Sequence, residues 1–166
     1  IRKAVIDHEP ARKLISCAQA ELSVFWTHPI GLSMKSRLDL LDRSSFVADL
    51  KTCADITPEG FGRAAFNMGY GVQAALYVDA AKALTGKTLK YYIIACEKSE
   101  PFDVAVYEVG EDIIAMGRAE YCRNLRRVKE CRESDEWPGV VTGIQSIEFP
   151  PWSYEDIDDV LDWEGV

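Results

Sequence analysis

No run of apolar residues in this chain of 166 approaches the roughly 18 to 20 that a membrane-spanning helix needs, so no membrane segment is expected. A secretory leader is not recognisable either, because residues 1–16 are charged and helical in pattern. Cysteine is sparse and badly spaced for scaffolding. The five, Cys17, Cys53, Cys96, Cys122 and Cys131, are odd in number, and no two are separated by two to four residues. Neither a disulfide framework nor a zinc knuckle is suggested, and free thiols in a reducing cytoplasm are the simplest account. Internal repeats and low-complexity segments are also missing.

Positive charge is in short supply as well: 19 Lys and Arg stand against 27 Asp and Glu, for a formal charge of −8. A protein that holds nucleic acid by bulk electrostatics would not carry that balance. A site that gathers carboxylates around metal ions is compatible with it. The basic residues are also unevenly placed, with Arg118, Arg123, Arg126, Arg127, Lys129 and Arg132 in one predicted helix. Much of the negative charge falls in the tail, at Glu155, Asp156, Asp158, Asp159, Asp162 and Glu164. What remains is ordinary globular material, 48% hydrophobic and 28% charged, enough for a single domain spanning 1–166.

Residues 2–15 read as helical with an interruption at Pro10. Strands are predicted over 21–26, 32–41 and 46–51, joined by turns at His28–Gly31 and Asp42–Ser45. Thr57-Pro58 opens a helix ending near Gly69, and a second helix runs from Gly71 to Leu84 and stops at Gly86. Strands at 89–96 and 102–109 precede a long helix over 111–133. A short strand near 144–149, a Pro150-Pro151 break and an acidic final helix complete the prediction. The order implies a mixed α/β (α+β) fold around one central sheet flanked by helices.

The chemistry concentrates in two neighbouring strands. Asp39 lies on one and Asp49 on the next, ten positions later across a short turn. Adjacent strands run roughly 4.8 Å apart, so the two carboxylates can converge on one hard cation. Lys51 is two residues beyond Asp49 and shares its face. Leu50, between them, can offer its backbone carbonyl as a further oxygen ligand. Such a set suits phosphodiester hydrolysis, in which Mg²⁺ activates water and an adjacent ammonium orients it. An exposed cross-strand ion pair is the bland alternative. The apolar neighbours Phe46, Val47, Ala48 and Leu50 argue against it, since they mark a buried strand in which unpaired charge is costly.

These residues resemble the motifs of the PD-(D/E)xK nuclease superfamily in its RecB-like branch: Asp39, then Asp49-Leu50-Lys51-Thr52, then Gln73-Ala-Ala-Leu-Tyr77 on a helix. Gln73 and Tyr77 fall one turn apart on one helical face. The resemblance implies a restriction-endonuclease-like core with Asp39, Asp49, Lys51, Gln73 and Tyr77 as site residues and Mg²⁺, replaceable by Mn²⁺, as cofactor. Within that branch the chain is similar to the RecE (exonuclease VIII) family, through Phe25-Trp26, the 55–61 stretch, Tyr70-Gly71-Val72-Gln73, Ala105-Val106-Tyr107, Glu136-Trp137-Pro138 and Pro151-Trp152. That likeness implies 5′ to 3′ degradation of double-stranded DNA from its ends, leaving 3′ single strands for a RecT-like annealing protein. It also implies a cytoplasmic, ring-shaped homo-oligomer, tetrameric in the RecE case, and leaves phage, prophage and host origin open. An endonuclease, a Cas4-like DNA-processing nuclease and an inactive DNA-binding module are the alternatives.

The match has departures. The iron–sulfur cluster of some relatives is not expected, because Cys122 and Cys131 alone cannot build it. The family's metal-binding His lies on the order of a hundred residues before the Asp motif, whereas His8 precedes Asp39 by thirty-one. His8 is therefore read as a helix-surface residue, His28 as structural, and the chain as the C-terminal core of a longer protein. Glu21 opens the first strand where the family has an acidic residue. The resemblance makes it a ligand to a second metal, against the alternative of a surface carboxylate.

Overall fold

The computed structural model describes residues 1–141 and 143–151 and divides the chain into two units, Ile1–Ser134 and Asp135–Val166. In the first unit, α1 (Arg2–Asp7) and α2 (Glu9–Cys17) precede β1 (Gln19–Thr27), β2 (Ser33–Asp42) and β3 (Phe46–Cys53). Helices α3 (Pro58–Asn67) and α4 (Tyr70–Thr85), strands β4 (Lys90–Glu97) and β5 (Val104–Glu108), and α5 (Glu111–Ser134) follow. The five strands form one sheet in chain order. All neighbours pair antiparallel except β3 and β4, which run parallel because α3 and α4 carry the chain back between them.

The break in the N-terminal helix falls at His8, two residues before the expected position. His8 caps α2 through Nδ1, which accepts from the Ala11 N–H at 3.4 Å, and Pro10 sits in the first turn, where its missing N–H costs nothing. At α3 the expected cap is present: Thr57 Oγ1 accepts from the Gly60 N–H at 3.1 Å. Left-handed Gly86 closes α4, with φ of 74°.

The sheet buries both faces. Val24, Leu38, Leu41, Val47, Tyr91 and Ile93 form the core beneath α4, whereas Leu40, Phe46, Ala48 and Ile94 pack with Val5 and Ala11 of the N-terminal helices. Ala74, Ala75, Val78, Ala80 and Ala81 are all buried, so α4 is a central helix with sheet on one side and α5 on the other. Its small side chains permit that closeness. At the α4–α5 crossing, a Cβ on Gly117 would stand 2.1 Å from the Gly71 carbonyl oxygen, so only glycine fits.

In the second unit, residues 144–149 form no strand, and all five strands of the sheet come from residues 19–108. Ile144 and Ile147 are exposed. The alternation there has apolar side chains but no ladder to join, and a strand is defined by its ladder. The acidic final helix lies outside the described residues. Among the described residues, no helix is long and apolar enough to cross a membrane.

Candidate active site

The β2–β3 ladder pairs Asp42 with Phe46, Leu41 with Val47 and Leu40 with Ala48, then stops. One step further, the same register sets Asp39 opposite Asp49, with both side chains on the face beneath α4. The β1–β2 ladder also skips this position, passing from Ala20–Leu40 to Leu22–Leu38. At the gap Glu21 adopts a left-handed φ of 57°. Leu38 and Leu41, three residues apart, both enter the core under α4, so the alternation of β2 changes phase here. These interruptions release Asp39 from regular pairing and leave space between β2 and β3.

Asp39 Oδ2 accepts from the Leu50 N–H across that space at 3.2 Å. In a strand, the N–H and C=O of one residue point to the same edge, so the Leu50 carbonyl faces the same gap. Its side chain lies on the other face and is exposed.

Asp49 is buried, with 1% of its surface accessible. The Gln73 amide donates to Oδ1 at 3.3 Å. Lys51 Nζ lies 2.6 Å from Oδ2 and forms an ion pair with it. Burial pushes the Asp49 carboxyl up to about 6; the Lys51 ammonium opposes this and the Asp39 charge adds to it. The Lys51 ammonium also stands over the Tyr70 ring, 4.9 Å from its centroid. A tyrosine at the start of α4 thus forms one wall of the Lys51 pocket.

Tyr77 lies one turn beyond Gln73, half-buried at the edge of the core. It reaches neither aspartate by a hydrogen bond among the described residues. Its neighbour is Tyr91 of β4, which is fully buried. Burial raises the Tyr91 phenol well above its ordinary range, with the charges of Asp49, Tyr77 and Asp39 adding to the effect. Sequence reasoning missed both Tyr70 and Tyr91. Tyr70 precedes the Gln73–Tyr77 pair by almost one turn and was legible as a helix neighbour. Tyr91 reads as an ordinary core residue until β4 is placed beside β3.

Glu21 is the candidate that the structure does not gather. Its carboxylate pairs with Arg37 Nε at 2.5 Å in an exposed contact, as expected of a polar residue on the open side of a two-stranded edge. His8 and His28 take structural places. His28 Nδ1 accepts from the Ile30 N–H in the hairpin turn at 3.2 Å.

No group of three or more His, Cys, Asp or Glu side chains suited to a metal occurs among the described residues. The two aspartates nonetheless suit a small divalent ion. Mg²⁺ is commonly held by one or two carboxylates while keeping several waters and taking substrate phosphate oxygens. A buried carboxylate raised in pKa by burial and by a second carboxylate beside it, with one ammonium to balance the pair, is the observation that fits such a cation.

This mixed sheet, with two aspartates and a lysine set on adjacent strands under a central helix, defines a domain of the PD-(D/E)xK nuclease fold. A family model matches residues 1–148, and the chain belongs to that family, described as a PDDEXK-like domain of unknown function. No curated protein matches it in sequence. Among solved structures, the "putative exonuclease" of Eubacterium rectale superposes with a TM-score of 0.68 at 17% identity, over 99% of this chain and 65% of that one. The chain therefore spans just under two thirds of that neighbour, and the likeness concerns the fold. A crystal structure of a protein designated SSO0001 is more distant, with a TM-score of 0.43 at 19% identity over 85% of this chain and 69% of that one.

Proposed function

We propose that this chain is the catalytic core of a divalent-metal-dependent exodeoxyribonuclease of the RecE type. It would degrade double-stranded DNA from its ends in the 5′ to 3′ direction and leave 3′ single strands for a RecT-like annealing protein. The observation that carries the reading is the opposition of Asp39 and the buried Asp49 across an interrupted ladder, with Lys51 on the same face. Membership of the PDDEXK-like family supports the hydrolytic part. The finer assignment rests on the motif resemblance over 39–77 and on the similar stretches elsewhere in the chain.

Under this reading Asp39, Asp49 and the Leu50 carbonyl hold Mg²⁺, which Mn²⁺ can replace. Bound there, the ion lowers the pKa of a coordinated water and neutralises charge on the phosphoryl group. Gln73 fixes the rotamer of Asp49 through Oδ1. Lys51 is confined between Asp49 and the Tyr70 ring. The Lys51 ammonium, held beside Asp49, would orient the attacking water and meet the phosphoryl oxygens. Tyr77 supports this arrangement through Tyr91. We also assign to this reading a ring-shaped homo-oligomer and a cytoplasmic location.

The test is release of acid-soluble nucleotides from linear duplex DNA, compared with covalently closed circles. Mg²⁺-dependent release from the linear form alone is expected. Nicking of closed circles would turn the assignment to an endonuclease, and no release from either substrate by the full-length protein would refute hydrolysis.

A further inference from the structure

A second concavity, about 380 Å³ in volume, opens at the hairpin end of β1 between α4 and α5. Its chemistry comes from Trp26, His28, Asp79, Lys82, Arg118 and Tyr121. It is separate from the two aspartates: Trp26 pairs with Met34, which stands five residues from Asp39 along β2, about 17 Å at the rise of a strand.

The Asp79 carboxylate and His28 Nδ1 are already engaged, whereas among the described residues the Lys82 ammonium and one edge of Arg118 are not. Arg118 grips Asp79 through Nε, at 3.2 and 2.9 Å from its two oxygens, and through Nη2 at 2.7 Å. The Tyr121 hydroxyl donates to the same carboxylate. Asp79 is thereby neutralised, and its carboxyl is held below the ordinary range by Arg118 and Tyr121 against the opposing effect of burial. Arg118 Nη1 takes no part in that grip. Lys82 forms no ion pair among the described residues, and the buried Trp26 indole N–H has no acceptor among them. Counting Lys82, Arg118 and Asp79, the lining is net positive in a chain of charge −8.

The remaining wall is aromatic and fixed. His28 stands edge-on between Trp26 and Tyr121, with both ring separations at 5.8 Å. Its Nδ1 is occupied by the hairpin and its Nε2 lies 3.7 Å from the Cys122 thiol. Trp26 and His28, both half-buried, present apolar ring surface, and a compact anion has the Lys82 ammonium and the remaining edge of the Arg118 guanidinium beside it. The volume falls in the range of small-molecule sites.

We propose that this concavity is a binding site for a nucleoside 5′-monophosphate. The base would lie against Trp26 and His28, and the phosphate between Lys82 and Arg118 Nη1. The site needs neither the divalent ion nor hydrolysis, so it stands apart from the nuclease reading.

The test is titration of ¹⁵N-labelled protein with thymidine 5′-monophosphate in EDTA, following the Trp26 indole N–H resonance assigned with Trp26→Phe. A saturable shift in the millimolar range or below is expected. Thymidine and inorganic phosphate should each bind at least about tenfold more weakly, and Lys82→Ala should weaken the nucleotide at least about tenfold. Lys82 is exposed and contributes no core contact, so that variant folds. Absence of a saturable shift, or a shift indifferent to Lys82→Ala, overturns the proposal. Thymidine binding as tightly as the nucleotide removes the phosphate site, and phosphate binding as tightly removes the ring site; either overturns it. EDTA silences metal-dependent chemistry, so this outcome is independent of whether the protein degrades DNA.

Discussion

Replacing Asp49 by Asn should make the metal-free protein more stable while abolishing its catalysis. The carboxyl is moved from an ordinary 3.8 to about 6 by burial and by the nearby Asp39 charge, net of the help from Lys51. A group whose folded pKa is raised holds its proton more tightly when folded. Stability is then greatest below about pH 4, falls as the pH rises to about 6, and is flat above that. At about 1.4 kcal/mol for each tenfold change in proton affinity, the ionised carboxylate costs up to about 3 kcal/mol at pH 8. Asparagine keeps an acceptor for Gln73 and cannot ionise. Thermal unfolding in EDTA at pH 8 should therefore place Asp49→Asn about 6–12 °C above the wild type, and the gap should close near pH 4. Mg²⁺ should raise the wild-type midpoint and leave the variant unmoved, because a ligand stabilises only the state that binds it. A variant no more stable than wild type at pH 8, or a gap unchanged at pH 4, would refute the argument that this carboxylate is held against its own electrostatics.

Other perturbations have equally definite outcomes. Lys51→Ala should remove at least about 100-fold of any hydrolytic rate at unchanged circular dichroism, read by nucleotide release. Gln73→Ala should lower the same rate about 10–100-fold, since it frees Asp49 Oδ1 without touching the other carboxylate. Gly117→Ala should force α5 away from the Gly71 carbonyl and cost about 1–3 kcal/mol in denaturant unfolding. Asp79→Asn should cost about 1–2 kcal/mol at pH 7, after allowance for the partial exposure of Arg118. The folded Asp79 pKa is depressed, so its contribution is complete above about pH 4 and is lost as the pH falls further. The wild-type and Asp79→Asn curves should converge in acid.

Much of this fold was legible because local chemistry and global packing agree. Pro58 behind Thr57 and Gly86 after α4 fix helix ends by backbone rules alone, and the short turn at Asp42–Ser45 fixes the β2–β3 register. That register is what sets Asp39 against Asp49, so the heart of the site could be read from spacing. The phase change at Asp39 was not readable, because it depends on paired interruptions in β1 and β2 that leave no local signature. Tyr91 was missed for a related reason: its place beside Asp49 exists only once β4 lies parallel to β3. Glu21 was placed by analogy of position, and the structure spends its carboxylate on Arg37. The alternation at 144–149 had the right side chains for a strand but found no place in the sheet, and alternation alone does not supply a neighbour.

The most direct measurement is an anomalous difference map from crystals of the protein soaked in Mn²⁺. The account predicts a peak between the Asp39 and Asp49 carboxylates, on the side of the β2–β3 gap faced by the Leu50 carbonyl, and its loss in Asp39→Asn crystals. Mn²⁺ bound elsewhere with none between those carboxylates, or a peak that survives Asp39→Asn unchanged, would contradict it.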